Sequence, residues 1–243
     1  MKKFISWVFG GGKQERDLLD AADKLQLSMR TTAKCRYNAS VRLEQHGRFS
    51  FFTTTVLSLG LIFIPLMQNA GVPLAYKANV LNMMQIFLAV AVLVYSVVIG
   101  TARYDMRSTQ LTECGDKLKE LIRELDKERE ASKGVIPKDI LTSFQVRYSA
   151  IVTDVENHIR NDYRLATLEM KKDYFVKGFP RLVLYVEAQA SRTFAYILPI
   201  FLMLVEVVFI TDMMGGTNIL TPYLNGSAVE CSSNSREQLV CRR

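Results

Sequence analysis

Two long stretches without a charged side chain limit the folds open to this sequence more than any other feature. Residues 49–67 and 80–100, 19 and 21 residues long, contain no Asp, Glu, Lys or Arg, and a third stretch, 194–210, contains only Glu206. At the rise of a helix the first two would span about 28 and 31 Å, close to the roughly 30 Å of a bilayer's hydrocarbon core. Averages conceal this, because 243 residues with a net charge of +7 and a mean hydropathy of +0.09 read as one soluble domain. The 57 residues of the three stretches hold one of the 55 charged side chains, whereas 29% of the other 186 residues are charged. The fold class that follows is an all-α membrane protein: a transmembrane helical hairpin, cytoplasmic helices and a third C-terminal membrane helix.

Basic flanks resist translocation, so the distribution of Lys and Arg orients the spans. Ten precede residue 49, Lys77 alone lies between the first two spans, and seventeen lie in 101–193. This places the N-terminus inside and makes 68–79, with Asn69, Gly71 and Pro73, a short outer turn. The third stretch is at the lower length limit, and Pro199 removes a backbone donor from it. A charge such as that of Glu206 costs about 2.5–3.5 kcal/mol at the bilayer centre. Five residues from Thr211, however, Glu206 could sit near the outer interface. Spanning is favoured over lying in the interface. It puts 211–243 outside, where Cys231 and Cys241 could form a disulfide, whereas the interfacial arrangement keeps them reduced.

The resulting segments are an interfacial anchor with a glycine hinge (1–13), a juxtamembrane helix (14–48), the hairpin (49–100), a cytoplasmic helical region (101–193), the third membrane segment (194–210) and a tail (211–243). In 14–48, Leu18, Ala22, Leu25, Met29 and Ala33 share one helical face. Arg30, Lys34, Arg36 and Arg42 form a basic collar that serves orientation or binds anionic headgroups. After the second span Leu111, Cys114, Leu118, Leu121 and Leu125 recur at three and four residues, with Glu120 set to pair with Arg123 and Glu124 with Lys127. This helix is expected to run straight out of the membrane and to form either an internal helix pair or a coiled-coil oligomer. Lys133 and Gly134 end it, and Pro137 opens a helix whose apolar face is Ile140, Phe144, Tyr148, Ile151, Val152, Val155 and Ile159. Lys171, Lys172, Lys177 and Arg181 around Tyr174, Phe175 and Phe179 suit an interfacial segment.

Candidate chemistry is sparse. The two histidines, His46 and His158, lie in different segments, and Cys35, Cys114, Cys231 and Cys241 never approach a C-x-x-C spacing, so no metal site, cofactor or catalytic set is expected. His158 beside Asn157, Asp162 and Tyr163 has the residue types of an acid/base site, but no nucleophile or oxyanion motif accompanies it, and a hydrogen-bonded corner between helices is expected instead. The basic residues lack the aromatic interleaving of a nucleic-acid interface, so no direct nucleic-acid binding is expected. Within the spans Asn82, Gln85, Ala89, Ser96 and Gly100 lie along one side of the second helix, and Ser50, Thr54 and Ser58 along one side of the first. Such stripes face protein or water. They either pack helices or, with Glu206, line an aqueous path, which two or three spans cannot enclose without further copies.

The residues that carry a resemblance are KCRYNASVRLE from Lys34 to Glu44, LSLGLI from Leu57 to Ile62, QIFLAVAVLVYS from Gln85 to Ser96, and TARY from Thr101 to Tyr104 before a Leu-rich helix. They resemble the SLATT domain, a family of two-transmembrane effectors of bacterial conflict systems. Tyr148 with Asn157, His158, Asp162 and Tyr163 is similar to its fifth family, whose members are often encoded beside retron-type reverse transcriptases. The resemblance covers 14–210. It implies an inner-membrane, multi-pass effector of antiphage defence by abortive infection, silent until triggered, that then forms homo-oligomers and permeabilises or depolarises the membrane. Membrane lipid, further copies of the chain and a reverse transcriptase or RNA–DNA sensor complex are the partners it implies. A membrane adaptor that scaffolds a partner through residues 111–165 is the alternative. A membrane enzyme would depend on His158.

Overall fold

The computed structural model describes residues 14–15, 20–176, 178–225, 231–234 and 238–241. The anchor assigned to 1–13, with Leu18 and Lys177, lies outside the described residues. The described chain is predominantly helical, as the charge-free stretches require, and divides into two compact units, Met1–Arg48 with Arg103–Tyr196 and Phe49–Ala102 with Ile197–Arg243. Its helices are α1 (Ala21–Asn69), α2 (Ala78–Ala102), α3 (Tyr104–Ala131), α4 (Lys138–Thr153), α5 (Arg160–Glu169), α6 (Phe179–Phe194), α7 (Ile197–Met213) and α8 (Thr221–Leu224). Strands are short: β1 (Gln14–Glu15) pairs with β2 (Tyr174–Phe175), and β3 (Cys231–Asn234) with β4 (Gln238–Cys241), both antiparallel. Gln14 and Glu15 therefore belong to a ladder, and the first helix starts at Ala21 rather than at 14.

In the first unit the early part of α1 packs against α3 and α4. Leu25 and Met29 meet Leu121, Leu125 and Phe144; Ala33 meets Cys114 and Leu118; Ala39 and Leu43 meet Leu111. Rising numbers on α1 against falling numbers on α3 make the pair antiparallel. The heptad-like face of α3 is thus occupied within the chain, which resolves the choice left open between an internal pair and a coiled-coil oligomer. The helices approach closely at Gly115, where an added Cβ would come within 2.7 Å of the Tyr37 ring. The helix expected to run on from the second span does so as one stretch, Ala78–Ala131, with a single-residue break: α2 ends at Ala102, Arg103 takes a left-handed conformation (φ 46°) and α3 begins at Tyr104. Lys133 (φ 53°) and Gly134 (φ 95°) turn the chain after α3, the glycine without steric cost, and Pro137 stands at the N-cap of α4.

Two charge assignments change. Glu124 pairs across to Arg147 of α4 (2.6 Å) rather than along its own helix to Lys127. The basic collar is consumed internally: Arg30 meets Asp173 (3.1 Å), Lys34 meets Glu169 (2.9 Å) and Arg42 meets Asp162 (3.1 Å). Arg36 is fully buried and donates to the carbonyls of Val152 and Glu156 at the C-terminal end of α4, where a cation offsets the helix dipole. Carboxylates of α5 and the turn after it, far along the sequence, thus pair three of these cations, while backbone carbonyls hold Arg36.

In the second unit the last part of α1, α2 and α7 share an apolar core of Leu57, Ile64, Leu81, Met84, Leu88, Phe209 and Met213, closed by Tyr76. Their other faces expose large apolar side chains, among them Phe51, Leu59 and Ile62 on α1, Ile86, Val90 and Leu93 on α2, and Leu198, Phe201 and Leu204 on α7. A helix apolar both inward and outward is one surrounded by lipid. Two helical stretches, Ala21–Asn69 and Ala78–Ala131, are long and apolar enough to cross a membrane, and α6 with α7 forms a bent pair that passes the same length and composition criteria together. Pro199 sits in the first turn of α7, where its missing N–H has no helical acceptor to lose, so it opens the helix instead of breaking it.

Candidate functional site

The polar cluster expected from the sequence forms where α1, α4 and α5 meet. The Tyr148 hydroxyl lies 2.8 Å from Thr32 Oγ1 and 3.2 Å from Ser28 Oγ. Asn157 Oδ1 accepts from the His158 backbone N–H (2.9 Å) in the turn before α5. Asp162 accepts from Arg42 Nε and Nη2, both at 3.1 Å, and from the Ile159 N–H (3.1 Å), which caps α5. The His158 and Tyr163 rings lie 6.5 Å apart. Burial and the nearby Arg36 charge hold the His158 imidazole below its ordinary pKa, with Asp162 opposing them, so its neutral form is favoured. A cavity of about 300 Å³ beside it is lined by Lys24, Ser28, Thr31, Thr32, His158 and Tyr163 among others. Asp162 is committed to a buried ion pair, Asn157 to its own turn, and Tyr148 to hydroxyls of α1. These contacts join α1 to α4 and α5. Among the described residues no group of His, Cys, Asp and Glu could hold a metal.

The membrane unit does not assemble the predicted stripe as one line. Thr54 donates to the Ser50 carbonyl (3.0 Å) and Ser96 to the Val92 carbonyl (2.8 Å), so these hydroxyls are satisfied within their own helices. Asn82 and Ser96 are exposed, while Ser50, Thr54 and Ser58 are half-buried. Gln85 alone crosses to a neighbour, with Nε2 2.6 Å from Gln68 Oε1. Glu206 is buried to 1% exposure and faces Gly60, not the end of the helix near Thr211. A Cβ at position 60 would overlap its carboxylate, so the glycine creates the notch that admits it.

Six residues later on α7, Asp212 is equally buried, and its surroundings are the opposite. It accepts from the Tyr76 hydroxyl (3.2 Å), the Thr217 hydroxyl, the backbone N–H groups of Ile219 (3.2 Å), Leu220 (2.5 Å) and Thr221 (3.2 Å), and the Thr221 hydroxyl (3.4 Å). Asn225 joins the same cap by donating to the Ala75 carbonyl (2.8 Å) and accepting from Lys77 Nζ through its own carbonyl (3.1 Å). Asp212 therefore ties the α1–α2 loop to the turn before α8. Both oxygens of Glu206, by contrast, are buried without a hydrogen-bond partner among the described residues.

Sequence reasoning gave no role to Gly60, Gln68 or Asp212 and placed Arg36 only in the basic collar. A glycine inside an apolar helix and an acid at the end of a span were visible signals for Gly60 and Asp212. The role of Arg36 had no local signal, since its acceptors lie 116 and 120 positions away. Cys231 and Cys241 face each other across the first pair of the β3–β4 ladder.

Comparison with curated proteins and with solved structures finds no match. Residues 19–211 match the SMODS and SLOG-associating 2TM effector domain family 5, which is most of the chain, and the protein belongs to that family.

Proposed function

We propose that this member of the 2TM effector family is a membrane effector of bacterial antiphage defence that, once triggered, oligomerises and permeabilises or depolarises the inner membrane, arresting the cell. One observation carries the reading. The core of the membrane unit is filled by Leu57, Leu88 and Phe209, while Asn82 and Ser96 are exposed on α2 among lipid-facing valines and leucines. Polar side chains on the outside of a span favour contact with another span or with water, so several copies that turn these sides together would give Asn82 partners and line a path. The N-terminus and the first unit lie in the cytoplasm, where a reverse transcriptase or nucleic-acid sensor complex delivers the trigger. On this topology α7 spans, the segment after it is outside, and α6 lies in the inner interface with Phe179, Leu182, Val183 and Val186 toward lipid.

Inducible expression with the trigger supplied is expected to depolarise cells, read by a potential-sensitive dye, and Asn82→Leu with Gln85→Leu to blunt the effect. Unchanged potential and growth in the wild type would sink the proposal. A membrane adaptor is the second reading, favoured by a groove of about 560 Å³ on the first unit whose lining includes Lys119, Arg123 and Ile122. It predicts that charge reversal at Lys119 and Arg123 abolishes function while the span substitutions leave it intact.

A further inference from the structure

The membrane unit contains three charged side chains among its described residues, Lys77, Glu206 and Asp212. Lys77 donates to the Asn225 carbonyl and Asp212 holds six donors, so neither is available to neutralise Glu206. Glu206 is the tenth of the 17 residues of α7, and its partner surface, Gly60, lies nine residues before the end of α1, about 13 Å along the helix. Around it are Leu57 and Ile64, one turn to either side of Gly60, with Phe209 and Leu202 on its own helix. Keeping a buried carboxylate ionised without a counter-ion is costly, and among the described residues no side chain donates to Glu206. A metal cation is poorly served there, because it needs several oxygen ligands and the notch offers a glycine and hydrocarbon.

We propose that Glu206 in its Gly60 notch is a proton-binding site, and that the permeation assigned above is a proton current relayed by this carboxyl. The inference rests on the permeabilising reading. In one cycle the carboxylate gains a proton from water on the side of higher proton activity, forming an O–H bond. That bond breaks as the proton passes to water on the other side and the carboxylate returns, with nothing oxidised or reduced. The membrane's own proton gradient and potential drive the transfer.

Two measurements on the full chain test this. Infrared spectroscopy of the wild type reconstituted in lipid at neutral pH is expected to show a protonated-carboxyl C=O band that is absent from Glu206→Gln and returns in Glu206→Asp. Absence of the band from the wild type overturns the inference whether or not any vesicle leaks. In vesicles carrying a pH gradient, an internal pH indicator and a trapped anionic dye, the wild type is expected to collapse the gradient and retain the dye. Glu206→Gln is expected to hold the gradient as protein-free vesicles do, and Glu206→Asp to restore part of the flux should the amide disturb folding. Equal flux in wild type and Glu206→Gln, or release of the dye with the protons, overturns the proton relay but leaves the permeabilising function standing. A wild type that passes neither protons nor dye with its trigger present removes both.

Discussion

At the scale of single residues the two buried carboxylates of α7 show how much a side chain's meaning depends on its donors. Asp212 is surrounded by hydroxyl and backbone N–H groups and serves to hold a loop; among the described residues no side chain donates to Glu206, which lies against Gly60. The same rule applies to Asp162 in the first unit, where Arg42 neutralises a carboxylate that is 4% exposed. Removing one member of such a pair strands the other, so Arg42→Ala is expected to destabilise the first unit by about 3–5 kcal/mol. Arg42→Lys should recover only part of this because an ammonium cannot reproduce the two-nitrogen contact; thermal unfolding in detergent measures both. Burial and neighbouring arginines lower the pKa of His158 and of His46, the latter through Arg42 and Arg192. Both imidazoles are therefore favoured in their neutral form by folding. Their stabilisation is complete above the unfolded value of about 6.5 and is lost as pH falls through the lower folded values. The melting temperature is expected to drop on acidification from pH 7 to about 5, and His46→Gln with His158→Gln to flatten that slope.

Individual elements were legible in proportion to the locality of their causes. The face of α3 was readable because Leu111, Leu118 and Leu125 recur at helical spacing, and every one of them is buried. What covers that face was not readable, since a heptad pattern fits a partner in the same chain or in another equally well. With α1 as the partner, Leu118→Ala is expected to cost about 2–5 kcal/mol of stability and to leave the oligomeric state in detergent unchanged, which size-exclusion with light scattering would verify. A shift in oligomer size would instead mean that α3 pairs between copies. The break at Arg103 carried no sequence signal, because a left-handed arginine is a conformation imposed by its surroundings rather than favoured by its own side chain. The collar of cations shows the opposite trap: Arg30, Lys34 and Arg42 looked like one surface because their acidic partners lie at 162–173.

For the whole molecule the decisive question is which side of the membrane each part occupies. With α7 spanning and the tail in an oxidising compartment, Cys231 and Cys241, opposite each other in the β3–β4 register, are expected to be disulfide-linked. Intact mass with and without reductant, after blocking free thiols, decides this, and two freely alkylated tail cysteines in the native membrane would contradict the topology. The class of the protein, the positions of its apolar helices and the uneven spread of Lys and Arg are read directly from the residues, because hydropathy and charge bias act on contiguous stretches and need no partner. Tertiary structure alone decided which charges are neutralised, how Asp212 is satisfied, and that Glu206 enters a notch at Gly60. The ion pairs and the notch depend on side chains brought together from more than a hundred positions apart, as Arg42 and Asp162 are, and Asp212 on a turn five to nine residues on that no pattern marks.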